Sequence, residues 1–350
     1  MSSVPEICPD QPGEVCPYSD PPFGEFTDDH IFPEFLGGRR SVRICRGCNS
    51  RFGHSFEGRA ARQLKRLQVF ISHFGLDLTH APATWPSALE IDGTTYDLKS
   101  GPDGVQYDLA RPLILRDEAG KVIGSRARSR SEAEQIAASL IRKGKAKEIK
   151  IEEAPSENLN NIKLDVDLSY NPDLYRFSAK LVANMAIFMG RAALVKESGI
   201  AGYLHGGFAW NVGFALCDTS AIRKLRPPLS HTVYIEFGAQ SRAVVILFGK
   251  MQIYMSLPAA EPEAILGFLD PITGEESFRE VTTLDITPPP EFYTDSQFRA
   301  HLDYITQCLA QEAKARGAKR PPNLSVGAYD PGPAAVEYIF VPVWRSKTKS

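Results

Sequence analysis

A histidine and two oxygen-bearing side chains near the amino terminus have the chemistry of a hydrolytic metal site. His30 directly follows Asp29, and Asn49 lies further along the same short stretch. Hydrolysis of a phosphodiester needs a group that deprotonates water and a cation that takes up charge on the phosphate and the departing oxygen. Histidine suits the first task because an unperturbed imidazole is largely neutral at cellular pH. Asp29 and Asn49 suit the second, since Mg²⁺ and Mn²⁺ prefer oxygen ligands.

The chain around these residues must bend if they are to share one site. Neighbouring residues of a strand point to opposite faces, so Asp29 and His30 can meet one ligand only at a strand end. Pro33 and the pair Gly37-Gly38 are consistent with such a bend. A Cys-x-x-Cys sequence then runs straight into Asn49.

An Asp-His step, a Gly-Gly turn and a Cys-x-x-Cys-Asn sequence, in this order, resemble the HNH endonuclease family, in the branch that ends in Cys-Asn. The resemblance covers about residues 8–60. It implies a two-stranded hairpin followed by a helix, one divalent ion (Mg²⁺ or Mn²⁺) beside a histidine base, and a separate zinc held by cysteines. By analogy with the family, His30 is expected to be the general base, and Asp29 and Asn49 the metal ligands.

Two neighbouring residues could take part in the same site. With about 3.6 residues per turn, His54 is expected about one turn beyond Asn49 on the same helix, where it would assist the metal or bind a phosphate. A surface histidine beside Gly53 is the alternative. Asp28 is the competing acid, but the family motif places the carboxylate immediately before the histidine, which favours Asp29.

The cysteines predict a structural zinc site with one irregular ligand. Where the family usually carries a second Cys-x-x-Cys, this chain reads Cys-Pro-Tyr-Ser from Cys16 to Ser19. Serine is a poor zinc ligand, and structural zinc almost always has four tetrahedral ligands. Cys8 is therefore the expected fourth thiolate beside Cys16, Cys45 and Cys48. A three-cysteine site completed by a histidine, or no zinc at all, stays open, whereas no thioredoxin-like strand and helix surround the motif to favour a redox role.

Composition limits the possible number of domains and the cellular location of the protein. At 350 residues with 43% hydrophobic content, the chain can form two or three domains. No apolar run approaches the ~18 residues of a membrane span, and the acidic amino terminus lacks the regions of a signal peptide, so we expect a cytoplasmic protein without a membrane partner. The cysteines concentrate near the amino terminus, as in a metal site, while Cys217 and Cys308 lie in apolar stretches typical of a core.

The charge is segregated although the net charge is only -2. Residues 1–38 contain no Lys or Arg, whereas residues 39–66 contain nine against the single acid Glu57. Such a block can contact phosphates independently of sequence, although a solvated helix face is the usual explanation of a charge run. The basic side chains expected to bind nucleic acid are Arg39, Arg40, Arg51, Arg59, Arg62 and Arg66.

Periodicity and turn residues predict an α+β protein, with a zinc-stabilised ββα-metal nuclease module followed by a larger mixed region with antiparallel sheet. The expected parts are a nuclease module at 1–66, a small α+β unit at 67–153, a linker over 154–162 and a C-terminal α+β domain at 163–350.

Particular elements are expected in the second and third parts. Helices are predicted over about 56–74, from a Ser131–Glu134 capping box to Arg142, over 172–198 and over 295–316. Hairpins are predicted over 88–98 and 105–126, and strands over 231–237, 242–248, 250–257 and 336–344. The helix over 172–198 carries an apolar stripe and a polar stripe, Lys180, Asn184 and Arg191, that could line a groove.

Together these features predict a metal-dependent endonuclease, acting on nucleic acid and most consistently on DNA. A zinc-dependent nucleic-acid-binding or interaction protein without turnover is the alternative from a different class. A homo-oligomer is an option that the sequence leaves open, as is the role: restriction, anti-phage defence, mobile-element movement or repair.

Overall fold

The computed structural model describes most of the chain from residue 15 to residue 318, together with a strand near the carboxyl terminus. The gaps are residues 21, 23, 79, 102–103, 121, 146–148, 153–157, 167–170, 208–211, 215–218, 238–240, 258–262, 285, 287–301 and 319–336. Residues 104, 158–166, 214, 302–306 and 337–345 are described as backbone only.

The amino-terminal module is the expected hairpin followed by a helix. Strand β1 (Phe26–His30) pairs antiparallel with β2 (Ser41–Cys45), and helix α1 (Arg46–Phe52) follows at once. The return of the chain depends on glycine, because a Cβ on Gly38 would lie 1.7 Å from the carbonyl oxygen of Phe32. The chain bends just after His30, because His30 is the last residue of β1 and pairs with Ser41, the first residue of β2.

The helix predicted over 56–74 is the second part of a longer helical segment. Helix α1 continues through a π-helical turn (Gly53–Glu57) into α2 (Gly58–Ser72). Gly53 does not end the helix, since its φ of -56° is helical. The helical segment therefore begins at Arg46, directly after the hairpin.

A buried helix connects this module to the rest of the molecule. Helix α4 (Pro172–Phe188) follows α3 (Arg130–Arg142) along the chain and is capped by Asn171, whose side chain accepts a hydrogen bond from the Leu174 amide. It contacts β2, α2 and the π-helical turn on one side and the large sheet on the other. The helix predicted over 172–198 breaks after Phe188, because Gly190 adopts a φ of +79°.

Short helices and an antiparallel sheet follow. The helices are α5 (Ala192–Glu197), α6 (Ile200–Leu204), α7 (Ser220–Arg223) and, later, α8 (Leu302–Ala315). The strands of this sheet are β9 (Val212–Phe214), β10 (His231–Phe237), β11 (Arg242–Leu247), β12 (Met251–Ser256), β13 (Glu263–Leu269) and β14 (Glu276–Val281). Their order is β14-β13-β10-β11-β12-β9, and the meander predicted from residue 231 is confirmed.

A second sheet combines the middle of the chain with its carboxyl end. Its strands are β3 (Thr84–Ile91), β4 (Thr94–Gly101), β5 (Gly104–Leu109), β8 (Asn158–Val166) and β15 (Glu337–Arg345), while β6 (Leu113–Arg116) and β7 (Val122–Arg126) form a separate hairpin. β15 lies between β5 and β8, parallel to the former and antiparallel to the latter.

Three local predictions need correction. The linker over 154–162 is wrong from Asn158 onward, because the chain there pairs as β8. The hairpin over 105–126 is only β6 and β7, since β5 pairs with β4 instead. The cap of α3 is Ser129 rather than Ser131: the Ser129 hydroxyl accepts from the Glu132 amide, and Glu132 accepts from the Arg128 amide.

The α+β class with antiparallel sheets is confirmed. Within the described residues one apolar core runs from Cys16 in the first module to Ala313 in α8. In β10, Val233 and Ile235 belong to this core, whereas Tyr234 faces a second cluster on the other side of the sheet. The three-part division of the chain stays a prediction. No helix of the described residues is long and apolar enough to span a membrane.

We predict that Gly38→Ala destabilises the hairpin severely, because the added methyl group meets the Phe32 backbone, which cannot move aside as a flexible side chain can. The free energy of unfolding should fall by about 3 kcal/mol or more. Gly53→Ala is the matched control: its Cβ meets nothing within 4 Å, and helical alanine should stabilise by about 0.4–1 kcal/mol. Urea unfolding of both variants checks this, and equal stability would contradict the close approach at Gly38.

Candidate functional site

The end of β1 separates the two residues of the Asp-His step. Asp29 is directed into the protein with only 7% of its surface exposed, whereas His30 is half-buried. This follows from the alternation of side chains along a strand. The two residues therefore face different surroundings.

Asp29 belongs to a buried polar cluster supplied by α4. One carboxylate oxygen accepts a hydrogen bond from Lys180 Nζ at 2.8 Å, and the other accepts one from Asn184 Nδ2 at 2.9 Å. Lys180, itself 2% exposed, also donates to Glu57 Oε1 at 2.6 Å. Tyr18 donates its hydroxyl to Asn184 Oδ1 at 2.5 Å. Both oxygens of Asp29 are thus occupied by protein donors.

This cluster, which we call the ion cluster (Asp29, Glu57 and Lys180, with Asn184 and Tyr18), places one cation between two carboxylates. Burial raises the pKa of Glu57, and the charge of Lys180 opposes that shift. Burial, and after it the charges of Asp29 and Glu57, raise the pKa of Tyr18 well above its ordinary value, so its hydroxyl remains a donor. Lys180 is thus the donor that the two carboxylates share.

The polar stripe noted on the helix over 172–198 is thereby divided. Lys180 and Asn184 face Asp29, one helical turn apart, rather than an open groove. Arg191 lies beyond the end of α4 and pairs with Glu263. The spacing of the three residues predicts a shared stripe, whereas the contact of Lys180 and Asn184 with Asp29 depends on tertiary packing.

His30 and Asn49 lie at the outer edge of the module. Asn49 Nδ2 donates to the carbonyl oxygen of Asp28 at 3.1 Å, which holds α1 against the end of β1. The His30 ring accepts no hydrogen bond from any described residue, while its backbone carbonyl accepts one from Asn184. Glu276 lies nearby: burial raises its pKa, and the backbone donors of Arg40 and Arg39 and the charge of Arg40 oppose that shift.

His54 lies on the π-helical turn and is exposed. Its Nδ1 is 2.7 Å from the carbonyl oxygen of Ser50, one turn earlier. The predicted spacing along the helix is therefore present, but the ring contacts its own helix. Its role toward a metal or phosphate stays a prediction.

Three predicted zinc ligands come together. The Sγ atoms of Cys16, Cys45 and Cys48 lie within 4.8 Å of one another, and all three residues are buried. Cys8 lies outside the described residues. The hydroxyl of Ser19 is 3.5 Å from both Cys45 Sγ and Cys48 Sγ, so the serine lies where the family carries a cysteine.

Hydrogen bonds between the thiols shift their pKa values. A hydrogen bond from Cys48 is the largest cause that lowers the pKa of Cys16, to about 4, and the same contact raises the pKa of Cys48. Three converging buried thiols fit a zinc site.

The six arginines expected to bind nucleic acid fall into two groups. Arg59 forms a bidentate pair with Asp173, at 2.5 and 2.8 Å, and Arg66 lies over the ring of Trp85, 5.2 Å from its centroid. The exposed group without a salt bridge to any described carboxylate is Arg39, Arg40, Arg51 and Arg62. Arg40 lies beside the proposed base, because its carbonyl accepts from the amide of Ile31.

We predict that Lys180→Met leaves two buried carboxylates without their cation. Breaking a buried pair on one side usually costs about 3–5 kcal/mol, so the free energy of unfolding should fall by that amount. Lys196→Met, an exposed lysine on α5, is the control and should change stability by less than about 0.5 kcal/mol. If urea unfolding finds Lys180→Met as stable as the control, the ion cluster does not hold α4 to the module.

Comparison with protein families connects this geometry with a known module. Residues 16–65 match the model of a family described as HNH endonuclease. No curated protein and no solved structure matches the chain. The matched segment contains the hairpin, α1, the three cysteines, His30 and Asn49. Residues 16–65 are therefore similar to the HNH endonuclease family.

Proposed function

We propose that the protein is a cytoplasmic, metal-dependent endonuclease that hydrolyses phosphodiester bonds of nucleic acid, with DNA as the expected substrate. The observation that carries the proposal is the family match over residues 16–65. The hairpin and α1 support it, because the Asn49 contact with Asp28 brings the helix and the strand end that carries His30 together.

His30 is the general base of this proposal. Its half-buried ring accepts no hydrogen bond from the described residues, so a ring nitrogen is open to take a proton from water. Exposed Arg39 and Arg40 lie next to it and can hold the phosphate. The products would carry a 5′-phosphate and a 3′-hydroxyl.

The residues proposed to hold a Mg²⁺-class ion are Asp29 and Asn49. Such an ion would neutralise charge that develops on the phosphate. Asn49 fits, because its Nδ2 makes the contact to Asp28 and its oxygen is left for a cation. Asp29 fits only if an ion takes the place of the Lys180 or Asn184 donor. Asp28 offers an exposed carboxylate on the same side of β1 as His30.

The hydrogen bonds of Asp29 to α4 favour a second function. Because both oxygens of Asp29 are bound by α4, the module could serve as a zinc-stabilised nucleic-acid-binding unit without turnover. The two candidates share the zinc and the basic surface. They differ in whether added Mg²⁺ or Mn²⁺ produces cleavage.

We predict that His30→Ala slows nicking of supercoiled plasmid by at least about 100-fold, since a general base contributes about 10²–10⁴ in rate. The variant should keep its melting temperature and its affinity for the plasmid, because the ring makes no hydrogen bond within the described structure. Those two measurements are the controls. Cleavage by His30→Ala at the wild-type rate would exclude His30 as the base.

We predict about one tightly bound zinc per chain in the wild-type protein, lost in Cys45→Ser. The loss should leave the protein unfolded or insoluble, because a structural zinc contributes folding free energy directly. Cys308→Ser, a buried cysteine of α8 outside the cluster, is the matched control and should keep its zinc. Elemental analysis and circular dichroism measure both outcomes. A zinc-free but folded Cys45→Ser protein would contradict a structural role.

We predict that the double variant Arg39→Ala/Arg40→Ala binds every DNA sequence more weakly and with a flatter salt dependence. Each lost phosphate contact should reduce the slope of log affinity against log salt by about 0.9, so by about 1.8 for both. The control is Arg130→Ala/Arg142→Ala, two exposed arginines of α3. Equal slopes for the two double variants would place the phosphate contacts elsewhere.

A further inference from the structure

A histidine far from the matched segment reaches the cysteine cluster. His205 directly follows α6, and its Nε2 lies 3.6 Å from Cys48 Sγ. Its ring is also 5.2 Å from that of Phe52, in α1. No sequence motif surrounds His205, and 157 residues separate it from Cys48.

The distance agrees with tetrahedral zinc. Zinc lies about 2.3 Å from a thiolate and about 2.0–2.1 Å from an imidazole nitrogen, so a nitrogen and a sulfur of one site are about 3.6 Å apart. The three thiols supply three corners of the tetrahedron. His205 Nε2 has this distance to Cys48 but does not lie within 4.8 Å of all three thiols, so the ring would shift toward the other two when it takes the fourth corner.

The other described candidate is weaker. Ser19 places its hydroxyl 3.5 Å from two of the thiols, but hydroxyl oxygen is not among the usual ligands of structural zinc. A competing explanation of His205 is a hydrogen bond, since its Nε2 is 3.2 Å from the carbonyl oxygen of Tyr18. A zinc ligand and a hydrogen-bond donor to Tyr18 can be distinguished, because different replacement side chains preserve each role.

We propose that His205 is the fourth ligand of the zinc held by Cys16, Cys45 and Cys48. The HNH module alone would then lack a complete zinc site, and zinc would cross-link it to the C-terminal region through α6. This inference rests on the zinc of the proposed function but not on its nuclease activity.

Two substitutions of His205 separate ligand from hydrogen-bond donor. His205→Gln keeps a donor for the Tyr18 carbonyl but loses the imidazole ligand, whereas His205→Cys keeps a ligand and loses the donor. Removing a hydrogen-bond partner of a metal ligand already costs about 10–100-fold in metal affinity, so His205→Gln, which removes a ligand itself, should bind zinc at least about 100-fold more weakly. His205→Cys should retain one zinc. The full-length protein is assayed by elemental analysis and by competition with a chelator.

Cobalt substitution reports the ligand set without any assay of cleavage. The Co²⁺ form of the wild-type protein should show the visible bands of a tetrahedral site with thiolate and imidazole ligands. In His205→Cys those bands should move to longer wavelength, as a fourth thiolate replaces imidazole. An unchanged spectrum in that variant would overturn the proposal, even if His205→Gln fails to fold.

Ser19→Cys provides a rescue. In the double variant His205→Gln/Ser19→Cys, the new thiol lies beside Cys45 and Cys48 and should restore one zinc per chain. His80→Ala, an exposed histidine, is the control and should bind zinc as the wild type does. Wild-type zinc affinity in His205→Gln would overturn the proposal. It would also be overturned if Cys8→Ser lost zinc and changed the Co²⁺ spectrum while His205→Gln did neither.

Discussion

A lysine buried between two carboxylates connects the HNH module to the rest of the molecule. Lys180 donates to Asp29 and Glu57 in a region from which water is excluded, and its desolvation is tolerable only with both partners in place. The carboxylates come from β1 and the π-helical turn, and the cation comes from α4. The hairpin therefore buries the Asp29 carboxylate among apolar residues, and α4 supplies the donors that it needs.

The same cluster determines how the site is divided. Because Asp29 is directed toward α4, His30 at the end of β1 is left at the outer edge with Asn49 and Arg40. Phe52 separates the ion cluster from the cysteines: Lys180 Nζ lies 5.8 Å from its ring centroid, and the His205 ring lies 5.2 Å away. One aromatic side chain thus packs against both connections between the module and the C-terminal region.

The sequence predicted the parts of the site that are close together along the chain. The hairpin, the turn at Gly37 and Gly38, and the convergence of Cys45 with Cys48 follow from local spacing, and the position of Cys16 follows from the family pattern. His205 could not be recognised, because nothing near it has the spacing of a ligand motif. Lys180 belonged to a stripe that alone is as typical of a surface, since burial depends on what packs against it. The first residues of β8 fall within the predicted linker for the same reason: the partner strand, β15, lies near the opposite end of the chain.

The central claim is that the HNH module cleaves nucleic acid with the help of an added divalent ion. The most direct measurement incubates the wild-type protein with supercoiled plasmid in chelator, in Mg²⁺ and in Mn²⁺, and treats the products with DNA ligase. Nicked circles are expected only with an added ion, and ligase should close them, because the ends would be 5′-phosphate and 3′-hydroxyl. Plasmid that is bound but stays supercoiled with both ions would contradict it and leave a zinc-stabilised binding protein.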